Sequence, residues 1–337
     1  MGSRTRSSSA LRFVPTVVLA FALAAVASAA SSRSLSVCLV TDTGSLGDPG
    51  LAESAVAGLR ASEQHGVTGR LVRSPSPGAD AAALESCAAD GADLTIGLGY
   101  LMAGAVDAAA TAYPHRVFVI VDASVTTLPS RPANVQGVLF RSEQAGYLVG
   151  YAAGLWAREH HAKAVGSVGG LKIPPVDSYI AGFEAGAVRA YPGVKTLRRY
   201  ANSLTDKAKC RTAALSQIDD GAVVELQVAG RCGRGVIGAA QSKGVLAVGT
   251  DTDESGLSAA VMTSAVKRVD VAVRSTILSA QDGTLRTGAN VVFGARKDGI
   301  GYGRWSPRVP LRIRAAVERQ LRLIKSGAVR DIPSTLG

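Results

Sequence analysis

At 337 residues, the chain is long enough for two domains. Its 37 basic and 26 acidic residues give a formal charge of +11, which taken alone would suggest a nucleic-acid partner. That class is set aside, because part of the excess lies in a targeting sequence. The chain also has no repeats, no low-complexity tails and no aromatic-plus-basic patches of the kind single strands need.

Arg4, Arg6 and Arg12 precede an apolar run from Phe13 to Val26, and Ala27-Ser28-Ala29 offers a small-residue cleavage site. This is the pattern of a secretory signal peptide over residues 1–29. The run is shorter than the ~20 residues of a spanning helix. Its removal takes three arginines and no acids, leaving +8. No cysteine stands at the cleavage point, so lipidation is not expected. The mature chain is expected beyond the cytoplasmic membrane, extracellular or in the cell envelope, and at the membrane surface where another protein tethers it. Four cysteines in an exported chain suggest disulfides, with three possible pairings. Cys38 lies in a first strand and Cys87 near the end of the second helical stretch, while Cys210 lies just before the stretch Gly221 to Asp253 and Cys232 lies in the glycine turn of that stretch. The favoured pairing is Cys38–Cys87 with Cys210–Cys232, and the alternative is four small buried thiols. C-x-x-C spacing is absent, so zinc-ribbon and thioredoxin-type chemistry fail.

From Leu35 to Thr41 the chain reads as a strand ending at Asp42, followed by a loop to Gly50 and a helix from Leu51 to about Gln64. A short strand (Arg70 to Arg73), a helix (Asp80 to Ala89) and a strand (Leu94 to Ile96) ending in Gly-Leu-Gly-Tyr come next. A helix from Met102 to Ala112 then precedes the apolar strand Val117 to Val121, which ends at Asp122. The alternation predicts a doubly wound α/β lobe. A second β/α lobe starts near residue 140, with an Ala/Gly-rich helix ending near Arg158, a strand from Ala164 to Val168, and a helix carrying Tyr179, Phe183 and Glu184. A strand (Val194 to Tyr200) and a helix (Asp206 to Asp219) lead to the central stretch.

That stretch, Gly221 to Asp253, reads as strand, glycine turn (Gly230 to Gly235), helix through Lys243, and strand ending near Asp251 and Asp253. Glycines let backbone approach a ligand, and a helix start offers free N–H groups with a partial positive charge. Acids just past a strand's carboxyl end lie where open α/β sheets bind ligands. Beyond it the sequence predicts a helix over Val266 to Gln281, a strand over Ala289 to Gly294, a turn over Gly299 to Gly303, and a basic amphipathic helix. That helix aligns Ile313, Val317, Leu321 and Ile324 on one face, and its arginines read as a solvated face.

Catalysis finds little support. There is no G-x-S-x-G elbow, no phosphate-binding G-x-x-x-x-G-K-[ST] loop and no G-x-G-x-x-G after the first strand. His65, His115, His160 and His161 lack metal-ligand spacing with acids. Asp42 and Asp122 could be imagined as an acid/base pair, but no nucleophile accompanies them.

Seven segments in order resemble the basic membrane protein family of ABC-transporter substrate-binding proteins, which includes purine-nucleoside receptors. They are VTDTGSLGDPG (40–50), FVIVDA (118–123), NVQGVLFRSEQAGYLVGYAAGL (134–155), VGSVGGLKIPPVDSYIAGFEAG (165–186), LQVAGRCGRGV (226–236), VGTDTD (248–253) and MTSAVKRVDVAV (262–273). Together they span nearly all the mature chain. The resemblance implies a type I periplasmic-binding-protein-like fold, with a cleft between two doubly wound lobes. The first lobe would take residues 35–138 plus about 268–300, and the second 139–267 plus about 303–337. It implies a non-enzymatic monomer without a cofactor, which captures a nucleoside-like small molecule and presents it to an ABC permease. An extracellular ligand sensor and a nucleoside-processing enzyme are the alternatives.

The family pattern assigns Asp42 and Asp122 to the base edge, Tyr179 to stacking, and Gly230, Asp251 and Lys267 to the ribose. The chemistry agrees, since carboxylates accept paired hydrogen bonds from a diol or from base N–H groups. Each position also has a plain structural reading. Asp48, Asp177 and Asp253 can cap helices. Tyr179 can be ordinary core, and Lys267 a solvated residue at a helix start. Tyr100 is a further cleft candidate. Leu51 and Ala52 stand where the family carries a second stacking phenylalanine and a base-binding asparagine, which should weaken purine binding about tenfold to fiftyfold.

Overall fold

The computed structural model describes residues 1–4, 34–41 and 49–337. The chain divides into two units, 1–33 and 34–337, and the fold below is that of the second. Beyond Arg4 the targeting segment lies outside the described residues, as do Asp42 and Asp48.

The chain opens with β1 (Leu35–Thr41), α1 (Pro49–Glu63), β2 (Val67–Arg73), α2 (Asp80–Ala89), β3 (Leu94–Leu98), α3 (Ala103–Ala112), β4 (Val117–Val121) and β5 (Val135–Phe140). It then crosses into α4 (Ser142–Glu159), β6 (Ala164–Gly169), α5 (Pro174–Ala190), β7 (Lys195–Tyr200), α6 (Lys207–Asp219), β8 (Ala222–Val228), α7 (Gly233–Lys243), β9 (Leu246–Asp251) and β10 (Val261–Lys267). A second crossing leads to α8 (Val269–Gln281) and β11 (Asn290–Phe293), and a third to β12 (Ile300–Tyr302) and α9 (Leu311–Ser326). Two six-stranded sheets result, ordered β11-β5-β4-β3-β1-β2 and β12-β10-β9-β8-β6-β7. Every pairing is parallel except the short β12 against β10. This is the two-lobed doubly wound architecture expected from the strand–helix alternation.

Burial explains the strand sequences. Helices cover both faces of each sheet, so a central strand such as β3 is apolar almost throughout and buried at every position. The edge strands β2 and β7 carry Arg70, Arg73, Lys195, Arg198 and Arg199 and are only partly covered, which blunts a free edge. Asp206 caps α6, accepting from the N–H groups of Ala208 and Lys209.

In the second lobe α4 and α5 pack backbone to backbone. Cβ atoms at Gly146, Gly150 and Gly154 would overlap the carbonyl oxygens of Tyr179, Phe183 and Ala187. Gly182 and Gly186 are equally tight against Glu143 and Tyr147. This seam fixes α5, and with it Tyr179, against the sheet.

The short strand read from Arg70 begins at Val67, and two further differences bear on Lys267. The helix expected from Val266 begins at Val269, because β10 runs on to Lys267 between β9 and β12. The expected turn Gly299–Gly303 contains β12, whose Ile300 pairs with Lys267. The cysteines are joined as Cys38–Cys87 and Cys210–Cys232, one disulfide in each lobe. In the described residues no helix is long and apolar enough to cross a membrane, and no group of three or more metal-binding side chains assembles.

Candidate functional site

A cavity of about 120 Å³ lies where the carboxyl ends of the two sheets face each other. The first sheet brings Asp122 from the end of β4, and the second brings Asp251 from the end of β9. Both residues have a left-handed backbone, with φ of 68° and 64°. That conformation is uncommon for a residue with a side chain, although aspartate tolerates it better than most. Gly230 follows β8 with φ of 55° and Gly99 follows β3 with φ of 100°, and both line the cavity.

Lys267, at the end of β10, lies between the two acids. Its Nζ is 2.6 Å from Asp122 Oδ2 and 3.2 Å from Asp251 Oδ1. The Tyr179 hydroxyl donates to Asp251 Oδ1 at 3.1 Å. Nζ also stands 5.4 Å from the Phe140 ring centre and 5.8 Å from that of Tyr179. The lysine side chain is only 3% exposed, so it is an internal counter-charge and not a solvated helix-start residue. Burial alone would depress its ammonium, but Asp122 and then Asp251 outweigh that and hold it above the ordinary lysine value. Burial pushes the Asp122 carboxyl up from the usual range, against the pull of Lys267. Burial, with Asp251 and Asp122 adding to it, raises the Tyr179 phenol well above its ordinary value, so it stays a donor at neutral pH.

Beside these groups a polar bracket ties the ends of β8 and β9 to the middle of β10. Gln227 Nε2 donates to Thr250 Oγ1 at 3.1 Å and to Glu254 Oε2 at 2.7 Å. Its Oε1 accepts from Ala229 N–H, next to Gly230. Glu254 Oε2 also accepts from Thr250 N–H, and Ser264 Oγ accepts from Glu254 N–H. The bracket sets the glycine turn and the Asp251 bend in a fixed relation.

Of the residues singled out from sequence, Leu51, Asp122, Tyr179, Gly230, Asp251, Lys267 and Tyr100 line this one cavity. Asp42 lies outside the described residues. Asp253 turns away to an ion pair with Arg304, and Asp177 accepts from the Tyr200 hydroxyl. Sequence reasoning missed the apolar walls, among them Leu98, Ile173, Val176 and Leu204. Nothing in their identity separates a cavity wall from ordinary core. The start of α5 was a usable signal, since Pro175 and Val176 line the cavity at the N-terminus of a 17-residue helix.

Asp122 Oδ1 and Asp251 Oδ2 have no hydrogen-bond donor among the described residues. The site can thus offer acceptors from opposite lobes, an ammonium and a phenol, within largely apolar walls. It suits a small molecule with an apolar body and several donors.

Known proteins bear on this geometry. A family model described as ABC transporter substrate-binding protein PnrA-like matches residues 35–329. The chain is 30% identical over 323 residues to the CD4+ T-cell-stimulating antigen of Listeria monocytogenes, covering 89% of this chain and 88% of that one. It is 27% identical over 322 residues to the ABC transporter nucleoside-binding protein BmpA of Lactococcus lactis, covering 85% and 90% respectively. A solute-binding protein of an Aeropyrum pernix ABC transporter system superposes with a TM-score of 0.76 at 23% identity, over 89% of this chain and 94% of that one.

Proposed function

This chain belongs to the PnrA-like family of ABC transporter substrate-binding proteins, and on that premise we propose that it captures a nucleoside outside the cytoplasmic membrane and delivers it to an ABC permease. The observation that carries the reading is the meeting of Asp122 and Asp251, from opposite lobes, at the single ammonium of Lys267. A ligand that engages both acids draws on both lobes, and such a ligand favours the closed arrangement over an open one. The ribose diol and the base N–H groups of a nucleoside supply the donors that paired carboxylates accept. The apolar walls, with Leu51 and Val176 among them, suit the faces of a base. The relative named as a nucleoside-binding protein supports the same ligand class. Export is supported by the basic, apolar and A-x-A pattern of residues 1–29.

Thermal denaturation against purine and pyrimidine nucleosides, free bases and pentoses tests the ligand. A nucleoside at ~1,000 times its dissociation constant stabilises by about 4 kcal/mol, which is read as a raised midpoint. Asp122→Ala and Asp251→Ala each remove a hydrogen bond to a charged group, an expected loss of about tenfold to a hundredfold in affinity. No midpoint shift with any nucleoside would overturn the ligand class. Undiminished affinity in both variants would overturn the site.

A further inference from the structure

Three larger concavities, of about 600, 630 and 670 Å³, open on the two-lobed unit, the first of them sharing Asp251 and Lys267 with the cleft, and their charge tells them apart. The first, beside the second crossing, sets Asp251, Asp253 and Asp270 against Lys267, Arg268 and Arg304, and is balanced. The second, on β7 and α6, holds two cations, Arg199 and Lys209. The third gathers Arg141, Arg296, Lys297 and Arg330 against Asp331 alone. Its cations come from three separate parts of the chain: the first crossing, the third crossing and the segment after α9.

Two of the guanidinium groups are held in place. Arg296 Nε donates to the Lys325 carbonyl at 2.9 Å, and Arg330 Nε donates to the Gly327 carbonyl, both at the end of α9. These bonds satisfy carbonyls that the helix end leaves free. No hydrogen bond among the described residues uses the terminal nitrogens of either arginine. Gly327 permits the arrangement, since a Cβ there would collide with the Arg296 guanidinium. Lys297 enters no ion pair among the described residues, and Arg141 has only a loose one, 3.4 Å to Glu143. Gln144, at the start of the 18-residue α4, lies in the same wall and accepts from Ala295 N–H.

Charge along the chain converges on the same place. Residues 34–293 balance at 23 basic and 23 acidic. Residues 294–337 hold 10 basic and 3 acidic, and so carry the whole net charge of +7 of residues 34–337.

We propose that this groove is a binding site for a phosphate-bearing anion, held between the first and third crossings and the end of α9. Two anchored guanidinium forks present the paired donors that phosphate oxygens accept, and Lys297 and Arg141 add charge. The site is separate from the cleft and does not depend on the cleft's ligand.

The test is calorimetric titration of the full chain with inorganic pyrophosphate, alongside co-sedimentation with phosphatidylglycerol and phosphatidylcholine vesicles. Saturable binding of pyrophosphate indicates a soluble phosphate compound. Binding of phosphatidylglycerol vesicles alone indicates a lipid headgroup. Either supports the site, provided that Arg296→Gln with Arg330→Gln weakens binding at least tenfold. Arg304→Gln with Arg308→Gln makes the same change of charge in the same basic segment outside the groove, and should leave affinity within about twofold. If the first pair fails to fold, Arg141→Gln with Lys297→Gln takes its place with the same expected loss. No binding of either probe, or an equal loss in the control pair, would overturn the proposal.

Discussion

The sheet order β11-β5-β4-β3-β1-β2 in the first lobe is matched position for position by β12-β10-β9-β8-β6-β7 in the second. Equivalent strands β4 and β9 end in aspartates with the same left-handed bend. Equivalent strands β5 and β10 lead into the first two crossings, each with an arginine paired to an acid two residues on, Arg141 with Glu143 and Arg268 with Asp270. The residue before each arginine is where the lobes part company: Phe140 in one and Lys267 in the other, 5.4 Å apart. A repeated frame thus supplies two acids symmetrically and a counter-charge from one side only. The cleft's polarity is set by that single asymmetric position.

Exchanging that position for an apolar residue gives the largest expected effect. Lys267→Met leaves the largely buried Asp122 and the part-buried Asp251 with no cation, and removing one partner of a buried ion pair costs about 3–5 kcal/mol. Phe140→Met, at the equivalent position, is a swap between apolar residues that keeps most of the volume and should cost about 1 kcal/mol. Urea denaturation of both variants measures the contrast. Equal losses would mean that Lys267 does not balance buried charge and that the lobes differ there only in packing.

The disulfides sharpen the comparison next. Cys38–Cys87 ties β1 to α2 across 49 residues, while Cys210–Cys232 ties α6 to the turn after β8 across 22. Chain-entropy reasoning gives about 4 kcal/mol for the longer loop and about 3 kcal/mol for the shorter. Paired Cys→Ala variants, followed by denaturant midpoints, test that order. Cys232 closes the Gly230 turn that lines the cavity, so loss of the second disulfide should also weaken nucleoside binding. Loss of the first should leave binding unchanged. The reverse pattern would break the link between the turn and the site.

What could be read from sequence follows from how far each signal depends on neighbours in space. Asp122 and Asp251 were legible because an acid closing an apolar run marks a strand's carboxyl end whatever the strand's partners. Lys267 is legible through the resemblance, but its run reads as a helix start where the fold has a strand end. Pairing with both β9 and β12 keeps Val266 in a strand, and pairing with β12 carries the strand on to Lys267. β12 itself is three residues long, too short to show a period of two. Leu98, Ile173 and Leu204 carry no signal of their own, because a cavity wall and a core face use the same residues. Glu225 is the one acid in the otherwise mainly apolar strand β8, and its face can be assigned only from the neighbouring strands.

Glu225 gives the smallest effect and the one most specific to the second lobe. It is fully buried in β8, and neither carboxyl oxygen has a hydrogen-bond partner among the described residues. Its register partner in β6 is Gly166, where a Cβ would overlap the carboxyl group. In the first lobe the equivalent pair is Thr95 beside Cys38, with no ionisable group. Burial pushes the Glu225 carboxyl well above its ordinary value, so the folded protein holds it neutral, whereas the unfolded chain releases the proton near the usual glutamate value of about 4.3. The folded state therefore binds more protons than the unfolded one in the range between those values. The contribution of Glu225 to stability is intact below the unfolded value and is lost as pH rises through the folded one, by up to about 1.4 kcal/mol per pH unit. Glu225→Gln keeps the shape and removes the proton. Denaturant midpoints from pH 5 to 9 should fall more steeply with rising pH for the wild type than for the variant, with the variant more stable by about 1–2 kcal/mol at the upper end. Parallel curves would show that the carboxyl reaches a partner or solvent in the folded protein, and the lobes would then match at this strand as well.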